Sequence, residues 1–349
     1  MKIAYILPSL INKGPIIVVR NLVRHLIDKV SLIDVYYFDE LDAMDFDCCV
    51  YRIRMDVSID FDKYDIVHCH GFRPDRYVTK WRNSIKSAKI LTTIHQDTLA
   101  DFAFQYNYLI SLPITLYWFA LQRKFDGIIS VSNQIRNKYN FLLKKKITTI
   151  FNGTYIDFEN KDTSPDYLSA IIRLRERFRI LGTYAFITNR KGLSQVIKIL
   201  PQMDDYAFVI IGDGPEVDNL KHLSEKLKMS DRVLFLPYIS KPYNYLSYFD
   251  VYMMTSYSEG LSLAMIEAAL AEKSIVCSNL PTFQEVFSNE EVSFFETNNS
   301  ESLVNAIKDA YRKKTTKGQL ANRKALSQFT SYKMAENHLE YYKKMAYLS

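Results

Sequence analysis

Two glutamates eight positions apart, Glu259 and Glu267, frame the stretch of this 349-residue chain that holds the most chemistry. Gly260, Leu261 and Ser262 lie between them, an apolar run at 251–255 precedes them, and residues 263–270 are good helix formers. A strand that enters a helix through such a turn aims free backbone N–H groups and the positive end of the helix dipole at one spot, which suits a phosphate. Glu259 would sit beside that phosphate. Glu267, two turns into the helix, is placed to accept hydrogen bonds from hydroxyls such as a ribose diol. Glutamates at this spacing also arise by chance, and Glu267 equally fits a solvated helix position. Arg190 and Lys191 belong to the same argument, because they stand in a polar turn, 188–192, after another apolar run. A compact ammonium at a strand–helix turn suits a phosphate oxygen.

Such side chains need a frame. Apolar runs alternate with helical patterns along the chain, the signature of parallel βαβ units. Strands are predicted at residues 2–7, 32–38, 65–69, 90–94, 127–131 and 147–151, then at 180–187, 206–211, 232–239, 251–255 and 273–278. Their near-continuous apolar character in the first half fits strands covered on both faces. The length exceeds one ordinary core and suits two domains of roughly 150–190 residues. We place them at 1–158 and 159–330, with a polar linker at 159–165 and a final helix, 331–349, packing back across both. In an open α/β sheet, ligands bind beyond the carboxyl ends of the strands. The candidates there are Gly14, whose flexible backbone ahead of Pro15 lets a ligand approach, and the histidines His68, His70 and His95.

Composition narrows the function classes. The net charge of +6 is uneven: residues 1–155 hold 21 Lys and Arg against 15 Asp and Glu, and residues 156–349 hold 24 of each. Within the first half, residues 63–155 carry 14 against 5. A basic surface of this kind meets an anionic partner (membrane lipid, nucleic acid or phosphorylated substrate) or is simply a solvated lysine-rich face. No nucleic-acid recognition motif accompanies it. Residues 102–125 are aromatic and apolar, including Tyr106, Leu112, Leu116, Tyr117 and Trp118, but Pro113 interrupts them and they are too short and polar to span a bilayer. They fit either an anionic membrane surface, with Lys80, Arg82 and Lys144–Lys146, or an amphipathic helix on its own sheet. No signal peptide is expected, so the chain reads as cytoplasmic, with peripheral membrane contact left open. Cys48, Cys49, Cys69 and Cys277 have no zinc spacing and read as reduced core residues. The Asp-Phe-Asp matches at 45–47 and 60–62 read as solvated loops, so no metal site is expected. The Gly212-Asp213-Gly214 turn has half of a dinucleotide fingerprint and lacks its third glycine.

Glu259-x7-Glu267 after a strand, with its Gly-Leu-Ser turn, resembles the donor site of the family 4 retaining glycosyltransferases, which have the GT-B fold. Asn152-Gly153, the Thr-x-His ending at His95 and Gly212-Asp213-Gly214-Pro215 match the same family, and the likeness extends over roughly residues 1–310. It implies two Rossmann-like, doubly wound parallel-sheet domains facing a cleft. It further implies metal-independent, retaining transfer of a hexosyl unit from a nucleotide sugar to an acceptor hydroxyl, with no cofactor and a UDP-sugar favoured over a GDP-sugar. By resemblance the Gly14 loop faces the donor diphosphate, His95 lies over the donor sugar and acceptor with His70 behind it, and the backbone near Ile239 meets the nucleobase. Arg190 and Lys191, with the N–H groups of Gly260, Leu261 and Ser262, would stabilise the leaving diphosphate. Glu259 would orient sugar hydroxyls. Two positions depart from the family: Phe186 replaces a clamping arginine, for which Arg190 can substitute, and Glu272 replaces a glycine. A polyprenyl-diphosphate-linked glycan of a cell-surface polysaccharide (capsule, O-antigen or exopolysaccharide) is the expected acceptor. The alternatives are a non-catalytic GT-B subunit that binds a partner or glycan, and a non-hydrolysing sugar-nucleotide epimerase.

Overall fold

A computed structural model describes all residues except 41–43, 106–107, 160–162 and 348–349; the side chains of 103–105 and 108 are also left undescribed. The chain divides into two compact units, Met1–Thr154 with Gln328–Ser349, and Tyr155–Ser327.

In the first unit seven parallel strands run in the order β3-β2-β1-β4-β5-β6-β7. They are β1 (Lys2–Ser9), β2 (Leu32–Asp39), β3 (Cys49–Arg52), β4 (Ile66–His70), β5 (Lys89–Ile94), β6 (Gly127–Ser130) and β7 (Ile147–Thr149). The central strands are buried along most of their length because helices cover both faces. These helices are α1 (Gly14–Leu26), α2 (Phe72–Lys80), α3 (Thr98–Gln105), α4 (Tyr108–Gln122) and α5 (Asn133–Leu143). α1 turns Ile16, Val19, Leu22, Val23 and Leu26 inward, one face of a 3.6-residue period.

β3 lies in the acidic region expected to be loop, and all four of its residues are exposed. It forms at the edge of the sheet from the short run Cys49–Arg52, paired in parallel with β2. Its position corrects the reading of the cysteines. All four are free, but only Cys69 and Cys277 are buried; Cys48 is partly exposed and Cys49 exposed on that edge. Asp62, in the second Asp-Phe-Asp match, is structural: its carboxylate accepts the backbone N–H groups of Lys86, Ser87 and Ala88 at 2.8–3.3 Å.

The second unit repeats the plan with six parallel strands in the order β10-β9-β8-β11-β12-β13. They are β8 (Arg179–Tyr184), β9 (Tyr206–Ile211), β10 (Val233–Leu236), β11 (Val251–Met254), β12 (Ser274–Ser278) and β13 (Ser293–Phe295). Its helices are α6 (Pro165–Arg175), α7 (Ser194–Ile199), α8 (Val217–Lys226), α9 (Leu263–Leu270), α10 (Pro281–Val286), α11 (Ser300–Arg312) and α12 (Lys314–Gln328). Part of the expected linker, 160–162, lies outside the described residues.

The chain re-enters the first unit beside its exit. Thr154 donates its N–H to the Phe329 carbonyl, and Ser331 donates to the Thr154 carbonyl. This pairing explains Asn152-Gly153, because a Cβ at Gly153 would come within 2.1 Å of the Thr330 carbonyl oxygen. The last helix, α13 (Ser331–Tyr347), then packs on α1; its expected final residue, Leu348, lies outside the described residues.

Candidate active site

Both sheets reverse their strand order once, between β1 and β4 and between β8 and β11. Loops leaving neighbouring strands at such a point diverge and open a crevice. In the second unit, the loop after β8 carries Arg190 and Lys191, and the loop after β11 carries Glu259 to Ser262. Hydrogen bonds tie the two: Tyr257 donates its N–H to the Arg190 carbonyl at 2.8 Å, and the Thr255 hydroxyl donates to the Lys191 carbonyl at 3.0 Å. Gly192 closes the first loop at φ 61°, where an added Cβ would lie 2.3 Å from the Thr255 carbonyl oxygen. Gln195 Nε2 donates to the same carbonyl, and Gln195 Oε1 accepts the N–H of Asn298.

This framework brings three charges together. Lys191 Nζ lies 2.6 Å from Glu259 Oε1, and Arg190 Nη1 lies 3.1 Å from Glu259 Oε2. The Ser256 hydroxyl donates to Oε1 at 2.8 Å, and Arg190 also donates to the Ser258 carbonyl at 2.6 Å. The side chains are largely screened from water, with Glu259 9% exposed and Lys191 and Arg190 under 20%. Burial alone would raise the Glu259 carboxyl; Lys191 and then Arg190 outweigh it and hold the group at about 2. The cluster carries a net positive charge already fixed in place. α9 starts next to it, with Ser262 at the N-cap in extended backbone and its hydroxyl not used to cap the helix. The first-turn N–H groups have no partner inside the helix, as at any helix start. Two turns along, Glu267 is 8% exposed, and its Oε2 accepts the Tyr184 hydroxyl at 2.7 Å from the end of β8.

The remaining expected residues are placed by their own strands. Ile239, half-buried, follows β10, where Asp213 Oδ2 accepts the Tyr238 N–H at 3.0 Å. The Gly212-Asp213-Gly214 turn is therefore a brace between the loops after β9 and β10. Phe186 is 60% exposed beyond β8, and the guanidinium on Glu259 comes from Arg190, four residues later. In the first unit, Gly14 opens α1 with nothing within 4 Å of an added Cβ. His95 follows β5, and its Nε2 lies 2.8 Å from Nδ1 of the buried His70 at the end of β4. Sequence reasoning missed Tyr184, Ser256 and Gln195. Tyr184 was within reach, since it ends a strand at the reversal point; Ser256 and Gln195 carry no spacing signal.

The arrangement can hold a diphosphate on two fixed cations and a helix N-terminus, and a diol near a buried carboxylate. Two family models match the chain in tandem, Glycosyltransferase Family 4 over residues 50–158 and Glycosyl transferases group 1 over residues 167–327. The chain belongs to the family 4 glycosyltransferases. It is 29% identical, over 98% of its own length and 98% of the relative, to the O-antigen biosynthesis glycosyltransferase WclY of Escherichia coli. A second E. coli relative, UDP-Gal:alpha-D-GlcNAc-diphosphoundecaprenol alpha-1,3-galactosyltransferase, is 25% identical over 70% of this chain and 66% of its own. Among solved structures, Anabaena Alr3699/HepE in complex with UDP-glucose matches with a TM-score of 0.80 at 17% identity, covering 99% of this chain and all of that one. The fold of this glycosyltransferase is GT-B.

Proposed function

We propose that this glycosyltransferase moves a hexosyl unit from a nucleotide sugar, with a UDP-sugar favoured, to a hydroxyl of a polyprenyl-diphosphate-linked glycan in O-antigen or related polysaccharide synthesis, with retention at the anomeric carbon. The observation that carries the reading is the Glu259–Lys191–Arg190 cluster beside the start of α9. As the glycosidic bond breaks, negative charge grows on the leaving diphosphate. Lys191, Arg190 and the N–H groups of Gly260 to Ser262 stabilise it, acting from fixed positions where little reorganisation is needed. Both oxygens of Glu259 are held by protein donors, so its part is to fix the two cations as well as to meet the sugar. Glu267, steadied by Tyr184, takes the ribose hydroxyls. The leaving phosphate, rather than a protein carboxylate, accepts the acceptor's proton.

The lipid-linked acceptor and contact with an anionic membrane surface rest on α4. Its outward stripe Leu109, Leu112, Pro113, Leu116, Tyr117 and Ala120 is exposed, and Arg123, Lys124, Lys144 and Lys146 are exposed nearby in sequence. A basic and apolar face suits an anionic lipid interface. The WclY and galactosyltransferase relatives support the pathway class by their names.

The test is thermal unfolding of the full chain with UDP-, GDP-, ADP- and CMP-sugars. A UDP-sugar at 100 times its Kd is expected to stabilise by about 2.7 kcal/mol, and Glu267→Ala to lose most of that. No shift with any donor would leave a non-catalytic GT-B protein as the better reading. With the donor found, the anomeric configuration of the product, read by NMR coupling constants, decides between retention and inversion.

A further inference from the structure

The first unit buries an unusual group of histidines. His68 and His70 point to one face of β4 with ring centroids 4.3 Å apart, and His338 of α13 lies 6.0 Å from His68. Around them stand Tyr5 of β1, Thr93 of β5 and Tyr342 of α13. Both nitrogens of His68 are used: Nδ1 is 2.6 Å from the Tyr342 hydroxyl and Nε2 is 2.7 Å from the Thr93 hydroxyl. His70 is different. Its Nδ1 meets His95 Nε2 at 2.8 Å, while its Nε2 is buried and has no partner among the described residues.

Each neutral imidazole carries one proton, so the short contact holds a single hydrogen in one of two directions. Burial holds both rings neutral, with the neighbouring histidines adding to the effect, and His95 is brought down to about 3. If His95 donated from Nε2, the proton of His70 would sit on its own Nε2, a buried N–H without an acceptor. If His70 donates from Nδ1, only a lone pair is left at its buried Nε2. Orphaned buried N–H donors are rare and costly, by about 1–3 kcal/mol. The geometry therefore selects the second direction. It also selects for His95 the Nδ1–H tautomer, which is the minor form of free neutral imidazole side chains in water.

We infer that His70 is a positioning residue that donates Nδ1–H to His95 Nε2, fixing His95 as a hydrogen-bond donor through Nδ1 toward an oxygen of the bound sugar or acceptor. The inference rests on the proposed placement of His95 at the reacting sugar. His95 then orients and takes no proton during turnover, which leaves proton acceptance to the departing phosphate.

The experiment uses the full chain labelled with 15N-histidine, in which protonated and bare ring nitrogens separate widely in shift, with His95→Gln to assign the His95 signals. The expected spectrum shows His95 protonated on Nδ1; a proton on Nε2 overturns the inference without any reference to activity. His70→Asn places an amide N–H where His70 Nδ1 stood and should keep that tautomer and most of the transfer rate. His70→Leu removes the donor, and the tautomer should relax toward Nε2–H with kcat falling roughly tenfold, the worth of one oriented hydrogen bond, and KM nearly unchanged. Equal kcat in the Asn and Leu variants, with the tautomer changed between them, would also overturn it. A wild-type chain that shows the Nδ1–H tautomer but transfers no sugar would count against the proposed function instead.

Discussion

Glu259 and Asp75 show the two ways a buried carboxylate can be arranged, and they predict opposite pH behaviour. Glu259 is held at about 2 because two cations outweigh its burial. Its unfolded value is near 4.3, so its contribution is full above that value and is lost as pH falls toward 2. Glu259→Gln should remove that acid-side loss, worth up to roughly 3 kcal/mol from the shift. It should also cut transfer strongly, because Lys191 and Arg190 lose their anchor. Asp75 on α2 is buried and its carboxyl is pushed up to about 7, against the pull of hydrogen bonds from Trp118, Thr92 and Gln122. A raised carboxyl gives stability that is full below the unfolded value near 4 and lost as pH rises through 7. In urea titrations at pH 4, 6 and 8, Asp75→Asn should flatten this decline, which falls between about pH 4 and 7. An unchanged slope would show that Asp75 is not its source. The sequence singled out the charges at 259 and 191 one by one, as candidate phosphate or sugar contacts. Their mutual ion pair was not legible there, since it joins residues 68 positions apart.

At the scale of elements, α4 shows what a sequence pattern alone leaves open. Its apolar run fitted either a lipid surface or the protein's own core, and it divides: Leu112, Leu116 and Tyr117 point outward, while Trp118, Phe119 and Leu121 turn inward with Ser111, Thr115 and Gln122. The reason is Asp75: the buried carboxyl draws Trp118 Nε1 to 2.6 Å and Gln122 Nε2 to 3.1 Å, so this helix docks partly by polar contact. Glutamate at Leu112 and Leu116 together should leave folding intact, because both are exposed. It should reduce co-sedimentation with phosphatidylglycerol vesicles by at least about tenfold, and undiminished binding would assign the stripe no membrane role. α9 ends in a Schellman motif, with Glu272 donating to the Ala269 carbonyl and Lys273 to the Ala268 carbonyl. Glu272 occupies its left-handed position at φ 55°. The family's glycine at this point suits that conformation, and the chain bears a non-glycine residue at a cost of about 1–2 kcal/mol. Glu272→Gly should therefore raise the melting temperature by a few degrees; a fall would mean that the side chain makes a compensating contact.

Across the whole molecule, two sheets with the same strand logic each carry their own core, and the first is completed by a helix from the far end of the chain. Tyr342 on α13 is fully buried, meets His68 at 2.6 Å and contacts Tyr5 through its hydroxyl at 3.3 Å. Tyr342→Ala should cost about 3–5 kcal/mol, the usual range for a buried aromatic. Tyr342→Phe, which keeps the ring, should cost about 1–2 kcal/mol. Denaturant unfolding compares them; no loss in the Phe variant would make packing the whole effect, and equal losses in the two variants would make the hydroxyl network the whole effect. The uneven charge is also a whole-molecule property. Vesicle binding should weaken with added salt, since exposed charges are screened beyond a Debye length of about 8 Å at 0.15 M.

Local chemistry determined much of this protein from the sequence alone. Apolar runs with turn residues at their ends located most of the strands to within a residue or two, because a parallel strand buried on both faces is near-continuously apolar. The carboxyl ends of those strands also put forward Glu259, Lys191, His95 and Gly14 as candidates, because ligands of open α/β sheets bind beyond them. The tertiary structure decided what depends on partners distant in the chain. The edge strand β3 exists through its pairing with β2, and the outward face of α4 through a carboxyl on α2. The triad on Glu259 and the tautomer of His95 are likewise set by side chains from neighbouring strands. Periodicity records whether a residue is buried, but a hydrogen bond or an ion pair is fixed only when folding brings its second atom within 3 Å.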